Sequence, residues 1–158
     1  MEKTAISAYQ KRIGVTIDSL ANEISAAATK INEQILVTYR IKDIQTLEKK
    51  MALKHTSDIF SIKDVYGIRV IVETVVEAYT VLTKIREMYP GFLKHDYLAN
   101  PKTIPGDPLL KGKMLRLLQF IASKNDVNFE IQITTKTFHE MNETLHEKYR
   151  VRKYGEGL

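Results

Sequence analysis

Gly67-Ile68-Arg69-Val70-Ile71-Val72-Glu73 is the stretch from which the fold can be read. Its β-branched residues follow one another with little polar interruption, the pattern of a central strand buried on both faces. Working outward, the spacing predicts a helix over about 75–89, ended by Tyr89-Pro90-Gly91. Phe92 to Ala99 reads as a strand. The segment Asn100 to Lys113 holds three of the four prolines and two of the seven glycines, and reads as one long irregular loop of the kind that carries binding groups. Met114 to Ala122 and Val127 to Thr134 read as a hairpin joined by Ser123-Lys124-Asn125-Asp126, and a last helix runs from Thr135 to about Tyr149. On the other side, Ile35 to Tyr39 is a short strand before a basic helix at roughly 43–54. Ile6, Ile13, Ile17, Leu20, Ile24 and Ile31 keep one apolar stripe along a helical first thirty residues. Helices alternating with strands in this order imply a mixed sheet flanked by helices, an α/β or α+β domain.

Composition narrows the function classes. The chain has 158 residues, enough for one domain with a real core, so 1–158 is read as a single unit with a helical segment at 1–33 and a core at 35–150. Zero cysteines exclude disulfides, thiolate zinc sites and cysteine nucleophiles. There is no run of 18 apolar residues and no signal-peptide core after Met1-Glu2-Lys3, so the expectation is a cytoplasmic protein with no membrane partner. A net charge of +5 favours anionic partners, nucleotides and RNA among them.

Two groups of residues carry chemistry. Tyr39-Arg40-Ile41-Lys42-Asp43-Ile44-Gln45-Thr46-Leu47-Glu48-Lys49-Lys50-Met51 sets cations around a hydroxyl. If a helix begins near Asp43, Thr46 and Lys50 share a face one turn apart, and Lys42 sits where free backbone N–H groups already favour anions. A polyphosphate suits such a place, although an amphipathic helix with a solvated basic face has the same pattern. The second group is acidic. Glu130 interrupts an apolar strand and so needs a partner, a wet face or a metal, and Gln132 shares its face. Should Asp64, just ahead of the central strand, converge with Glu130, the pair would hold Mg²⁺ together with substrate phosphates, with Arg69 close by. His139-Glu140-Met141-Asn142-Glu143 lacks the second histidine of a zinc protease helix, which leaves His139 on a helix face turned toward the sheet. His95-Asp96 reads as structural or substrate-adjacent. No Walker A loop, G-x-G-x-x-G or nucleophile elbow is present.

These pieces stand in a familiar order. The chain resembles the synthetase domain of the RelA/SpoT family, the alarmone (p)ppGpp synthetases, over roughly residues 35–150. Arg40, Lys42, Thr46 and Lys50 are similar to its R-x-K-x-x-x-S-x-x-x-K element, and Asp64-Val65-Tyr66-Gly67-Ile68-Arg69 to its D-x-x-A-x-R. Lys94-His95-Asp96-Tyr97-Leu98-Ala99-Asn100-Pro101-Lys102 resembles K-D-Y-I-A-x-P-K with one histidine inserted. Glu130-Ile131-Gln132-Ile133-Thr134-Thr135 resembles E-I-Q-I-R-T, and His139, His146 and Tyr149 follow as H…H-x-x-Y.

The resemblance implies a nucleotidyltransferase-like sheet and transfer of the β,γ-pyrophosphate of ATP to the 3′-hydroxyl of GDP or GTP. By position, Arg40, Lys42, Thr46 and Lys50 would hold the donor, Asp64 and Glu130 would bind Mg²⁺, and Glu130 would help deprotonate the attacking hydroxyl. Lys94 and Lys102 would meet the acceptor's phosphates, and Arg69, Gln132 and His139 complete the implied nucleotide-binding set. Two departures stand out. The family continues after its P-K with N-G-Y, whose tyrosine stacks on the acceptor base, whereas no tyrosine occurs here between Tyr97 and Tyr149. Thr134 replaces an arginine. Two alternatives therefore stay open beside the synthetase: a binding, regulatory or toxin/defence module of the same fold, and a pyrophosphotransferase acting on an RNA 3′ end. The N-terminal stripe is also available as a homo-oligomer interface.

Overall fold

A computed structural model describes residues 17–41, 66–103, 114–125 and 127–139. It contains α1 (Ile17–Thr29), β1 (Leu36–Ile41), β2 (Tyr66–Val72), α2 (Val75–Met88), β3 (Gly91–Asp96), β4 (Lys102–Thr103), β5 (Met114–Leu115), β6 (Leu118–Lys124) and β7 (Val127–Thr135). Residues 136–139 form a turn of helix after β7. The expected basic helix at 43–54 and the remainder of the last helix lie outside the described residues, as do Ile6 and Ile13 of the N-terminal stripe.

Five strands make one sheet in the order β1-β2-β7-β6-β3. The pairings are antiparallel except for β2 with β7, which run parallel. The Gly67–Glu73 stretch supplies β2, an interior strand as its apolar run requires, although the strand ends at Val72. Period-two alternation then sorts the side chains. Ile68, Val70 and Val72 of β2 and Val127, Phe129, Ile131 and Ile133 of β7 join Leu118, Phe120 and Ala122 of β6 in one core. The same core takes Ile17, Leu20, Ile24 and Ala28 from α1 and Ala78, Val81, Leu82 and Ile85 from α2. Both helices therefore cover one face of the sheet, and the side chains between those core positions belong to the other.

Local chemistry sets the boundaries of α2. Thr74 is its N-cap, accepting the Glu77 N–H at 3.1 Å, while Glu77 Oε1 accepts the Glu73 N–H at 2.9 Å. Glu77 Oε2 also accepts from Asn32 Nδ2 at 2.7 Å, tying the α1–β1 connection to this cap. The Asn32 hydrogen bond, more than any other contact, holds the Glu77 carboxyl below its ordinary pKa. No helix among the described residues is long and apolar enough to cross a membrane.

Three expectations from the sequence need correction. The hairpin begins at Leu118 rather than Met114, because Met114–Leu115 pairs with Lys102–Thr103 in a separate two-stranded ladder. Its joint is shorter than four residues, since Ser123 pairs with Asn128 and Lys124 with Val127. Asn125 takes a left-handed φ of 54°, the conformation a tight hairpin turn demands and one asparagine tolerates. Strand β3 also stops at Asp96, short of Ala99, because Asp96 Oδ1 accepts the N–H groups of Leu98 and Ala99 at 3.0 and 2.9 Å and turns the chain.

Gly91 starts β3 where the strand lies hard against β6. A Cβ there would sit 2.1 Å from the Ile121 carbonyl oxygen and 3.0 Å from the Ala122 Cα. Gly91→Ala is expected to lower stability by more than about 1 kcal/mol, read as a lower denaturant midpoint at unchanged slope.

Candidate functional site

The sheet face opposite the helices carries the polar residues. Register aligns them in two rows across the strands. One row runs Thr38, Arg69, Gln132, Gln119 and His95. The other runs Arg40, Gly67, Glu130, Ile121 and Phe92. The first contains no apolar residue, and the second places a carboxylate at the middle strand.

Glu130 is only 6% exposed. A carboxylate at that depth needs hydrogen bonds to replace water. It has them from both sides: Gln119 Nε2 donates to Oε2 at 3.1 Å, and Gln132 Nε2 donates to Oε1. The wet face that the sequence also allowed does not describe Glu130. Each carboxylate oxygen keeps a further lone pair that can accept a proton or meet a cation.

The other residues singled out from the sequence fall as follows. Arg69 is half-buried and aligned with Gln132, which puts its strand position beside that of Glu130 on the same face. Arg40 aligns with Gly67, the immediate neighbour of Glu130 in register, and is placed by its backbone alone. Lys94 is exposed on β3, at the edge of the sheet. Lys102 is placed by its backbone in β4, opposite Leu115. His139 is half-buried in the helical turn that follows β7. Thr135 starts that turn by accepting the Phe138 N–H at 3.3 Å. Asp64, Lys42, Thr46 and Lys50 lie outside the described residues.

Thr134, the departure from arginine, is 5% exposed and donates its hydroxyl to the Arg116 carbonyl at 2.7 Å. It holds the lead-in to β6 against the end of β7, and the Arg116 guanidinium lies 5.2 Å over the Phe138 ring. Asp96 is structural: it also accepts the Tyr79 hydroxyl of α2 at 2.7 Å, and burial first, then this bond, pushes the Tyr79 phenol up to about 12. The partner that sequence reasoning missed is Gln119. It is the one polar residue within Leu118-Gln119-Phe120-Ile121-Ala122, the same signal that picked out Glu130.

The fold is a known one. The structure is similar to small alarmone synthetase 2 of Bacillus subtilis, with a TM-score of 0.69 at 20% identity, covering 93% of this chain and 79% of that one. It is similar to small alarmone synthetase 1 of Bacillus subtilis bound to its product pppGpp, with a TM-score of 0.58 at 18% identity over 96% and 89% of the two chains. The Type VI effector Tas1, solved with its immunity protein, matches with a TM-score of 0.52 at 15% identity over 94% and 78%. No curated protein sequence matches the chain. Residues 39–154 match the model of the region found in RelA / SpoT proteins, and the chain belongs to that family.

Because two glutamines serve one buried carboxylate, their effects are coupled. Gln119→Leu and Gln132→Leu are each expected to cost about 1–3 kcal/mol, by leaving a buried oxygen without its donor. The double variant should depart from additivity by at least about 0.5 kcal/mol in a denaturation cycle.

Proposed function

We propose that the protein is a pyrophosphotransferase that moves the β,γ-pyrophosphate of ATP to the 3′-hydroxyl of a GDP, GTP or related acceptor. The observation that carries this reading is Glu130, a buried carboxylate held from both sides by amide groups on a face that also carries Arg69. In the reaction the acceptor's 3′-oxygen attacks the β-phosphorus of ATP. The bond from that phosphorus to the α,β-bridging oxygen breaks, AMP leaves, and the hydroxyl proton passes to a Glu130 oxygen. Transfer of this kind depends on positioning and charge neutralisation more than on covalent help from the protein.

Gln119 and Gln132 fix the Glu130 carboxylate so that little reorganisation is needed when the hydroxyl arrives. Arg69, one strand away, supplies positive charge for the phosphates. Arg40, Lys42, Thr46 and Lys50 would hold the donor, and Lys94, Lys102 and His139 would contact the nucleotides from the periphery. The hard carboxylate oxygens of Glu130 fit Mg²⁺. No group of three or more His, Cys, Asp or Glu among the described residues could hold a metal, so an ion would rest on Glu130, Asp64 and the donor's phosphates. Bound there, it would neutralise charge on the donor oxygens. The structural likeness to a synthetase solved with pppGpp supports a guanine acceptor. The likeness to a Type VI effector keeps a toxin role with another acceptor in view.

The test offers ATP labelled on its terminal phosphates with GDP, GTP, ADP, ATP and tRNA in turn. Label should move to at least one acceptor, and Glu130→Gln should slow transfer by about a hundredfold or more while the protein stays folded. A folded wild-type chain that passes label to none of them would sink the proposal.

A further inference from the structure

Strand β3 contains an irregularity. Phe92 pairs with Ile121 and Leu93 with Phe120, but the next pair is His95 with Gln119, a register shift that leaves Lys94 over as the extra residue. Regular alternation would have set Lys94 beside Gln119 and turned His95 toward the helices. The bulge re-aims the strand, as bulges next to functional sites do. It coincides with the histidine inserted within Lys94-His95-Asp96. Asp96 then faces α2, bonded to Tyr79, so its neighbours His95 and Tyr97 both face the other side.

That side is the Glu130 face. His95 is exposed, and its ring lies stacked on Tyr97 with centroids 4.7 Å apart and planes 13° apart. Tyr97 is half-buried and donates its backbone N–H to the Leu117 carbonyl at 2.9 Å, which anchors the pair beside the start of β6. Phe92, 48% exposed, shares the face in the Glu130 row. Gln119 joins the two features, being the register partner of His95 and a hydrogen-bond donor to Glu130. The aromatic strand is two strand spacings from the carboxylate, about 10 Å.

We propose that the stacked pair of exposed His95 and half-buried Tyr97, brought onto this face by the β3 bulge, forms the platform on which the purine base of the acceptor nucleotide stacks. This inference rests on the pyrophosphotransferase reading and assigns the base-recognition role in a chain whose 100–113 segment contains no aromatic residue. A flat aromatic surface holds any base by stacking, and holds a purine better than a pyrimidine because the larger ring system covers more of it. It sits on a sheet edge fixed to α2 through Asp96, so little ordering accompanies binding.

Binding of GDP, ADP and UDP to the full chain, without donor, tests the platform by equilibrium dialysis, with AMPCPP as the donor-site control. The purine nucleotides should bind more tightly than UDP. His95→Ala and Tyr97→Ala should each weaken purine binding by roughly ten- to a hundredfold and leave AMPCPP binding unchanged. His95→Phe and Tyr97→Phe, which keep a ring, should bind close to wild type, and thermal unfolding confirms that each variant folds. Unchanged purine binding in both alanine variants, or an equal loss of AMPCPP binding, overturns the platform. If wild type transfers label and both alanine variants keep its acceptor KM, the platform fails and the enzyme reading stands. If the alanine variants lose purine binding but wild type transfers no label, the platform stands and the enzyme reading fails. A wild-type chain that binds none of the nucleotides overturns both.

Discussion

The hydrogen bonds from Gln119 and Gln132 to Glu130 are the interaction on which the rest of the site depends. A carboxylate cannot sit in the middle strand of a five-stranded sheet without replacing its lost hydration. Here the replacement comes from amides on β6 and on β7 itself, aligned in one row by strand register. The hairpin therefore does more than complete the sheet. Its tight turn at Asn125 fixes which residues stand opposite each other, and a slip of one position would send Gln119 to the helix face.

Burial on the helix side makes this register secure. Phe120, Phe129, Ile131 and Leu118 are 1% exposed or less, packed with α1 and α2. Any shift would exchange those side chains for polar ones in a close-packed interior. The apolar face thus specifies the geometry of the polar one. Asp96 extends the same logic to the sheet edge, where bonds to Tyr79, Leu98 and Ala99 fix the end of β3 against α2.

Much of this was legible in the sequence because period-two alternation and a charged residue in an apolar strand are strong signals. Glu130, Gln132 and the central strand fall where that reasoning set them. The interval Met114 to Leu117 was misread because an apolar run alone does not distinguish a ladder strand from a short pairing with Lys102–Thr103. Gln119 was overlooked although it carries the same signal as Glu130. The bulge had one signal, the histidine inserted between Lys94 and Asp96, but the sequence of Gly91 to Asp96 is equally compatible with unbroken pairing. Its consequence, a histidine facing Gln119 instead of a lysine, appears only once β3 is laid against β6. The basic element around Lys42, Thr46 and Lys50 and the acid at Asp64 lie outside the described residues, so a part for them in the site is an expectation from the sequence alone.

The parallel pairing of β2 with β7 also bears on how the molecule comes to exist. Gly67 meets Glu130 across this pair, and α2, β3 and β6 all lie between them in the chain. Contacts so distant in sequence close late in folding, after local hairpins and helices have formed. During synthesis, β1, β2, α2 and β3 leave the ribosome while the middle strand of the sheet is still missing. The Glu130 face is thus complete only once the β6–β7 hairpin docks on β2, and until then the polar rows do not run across the sheet.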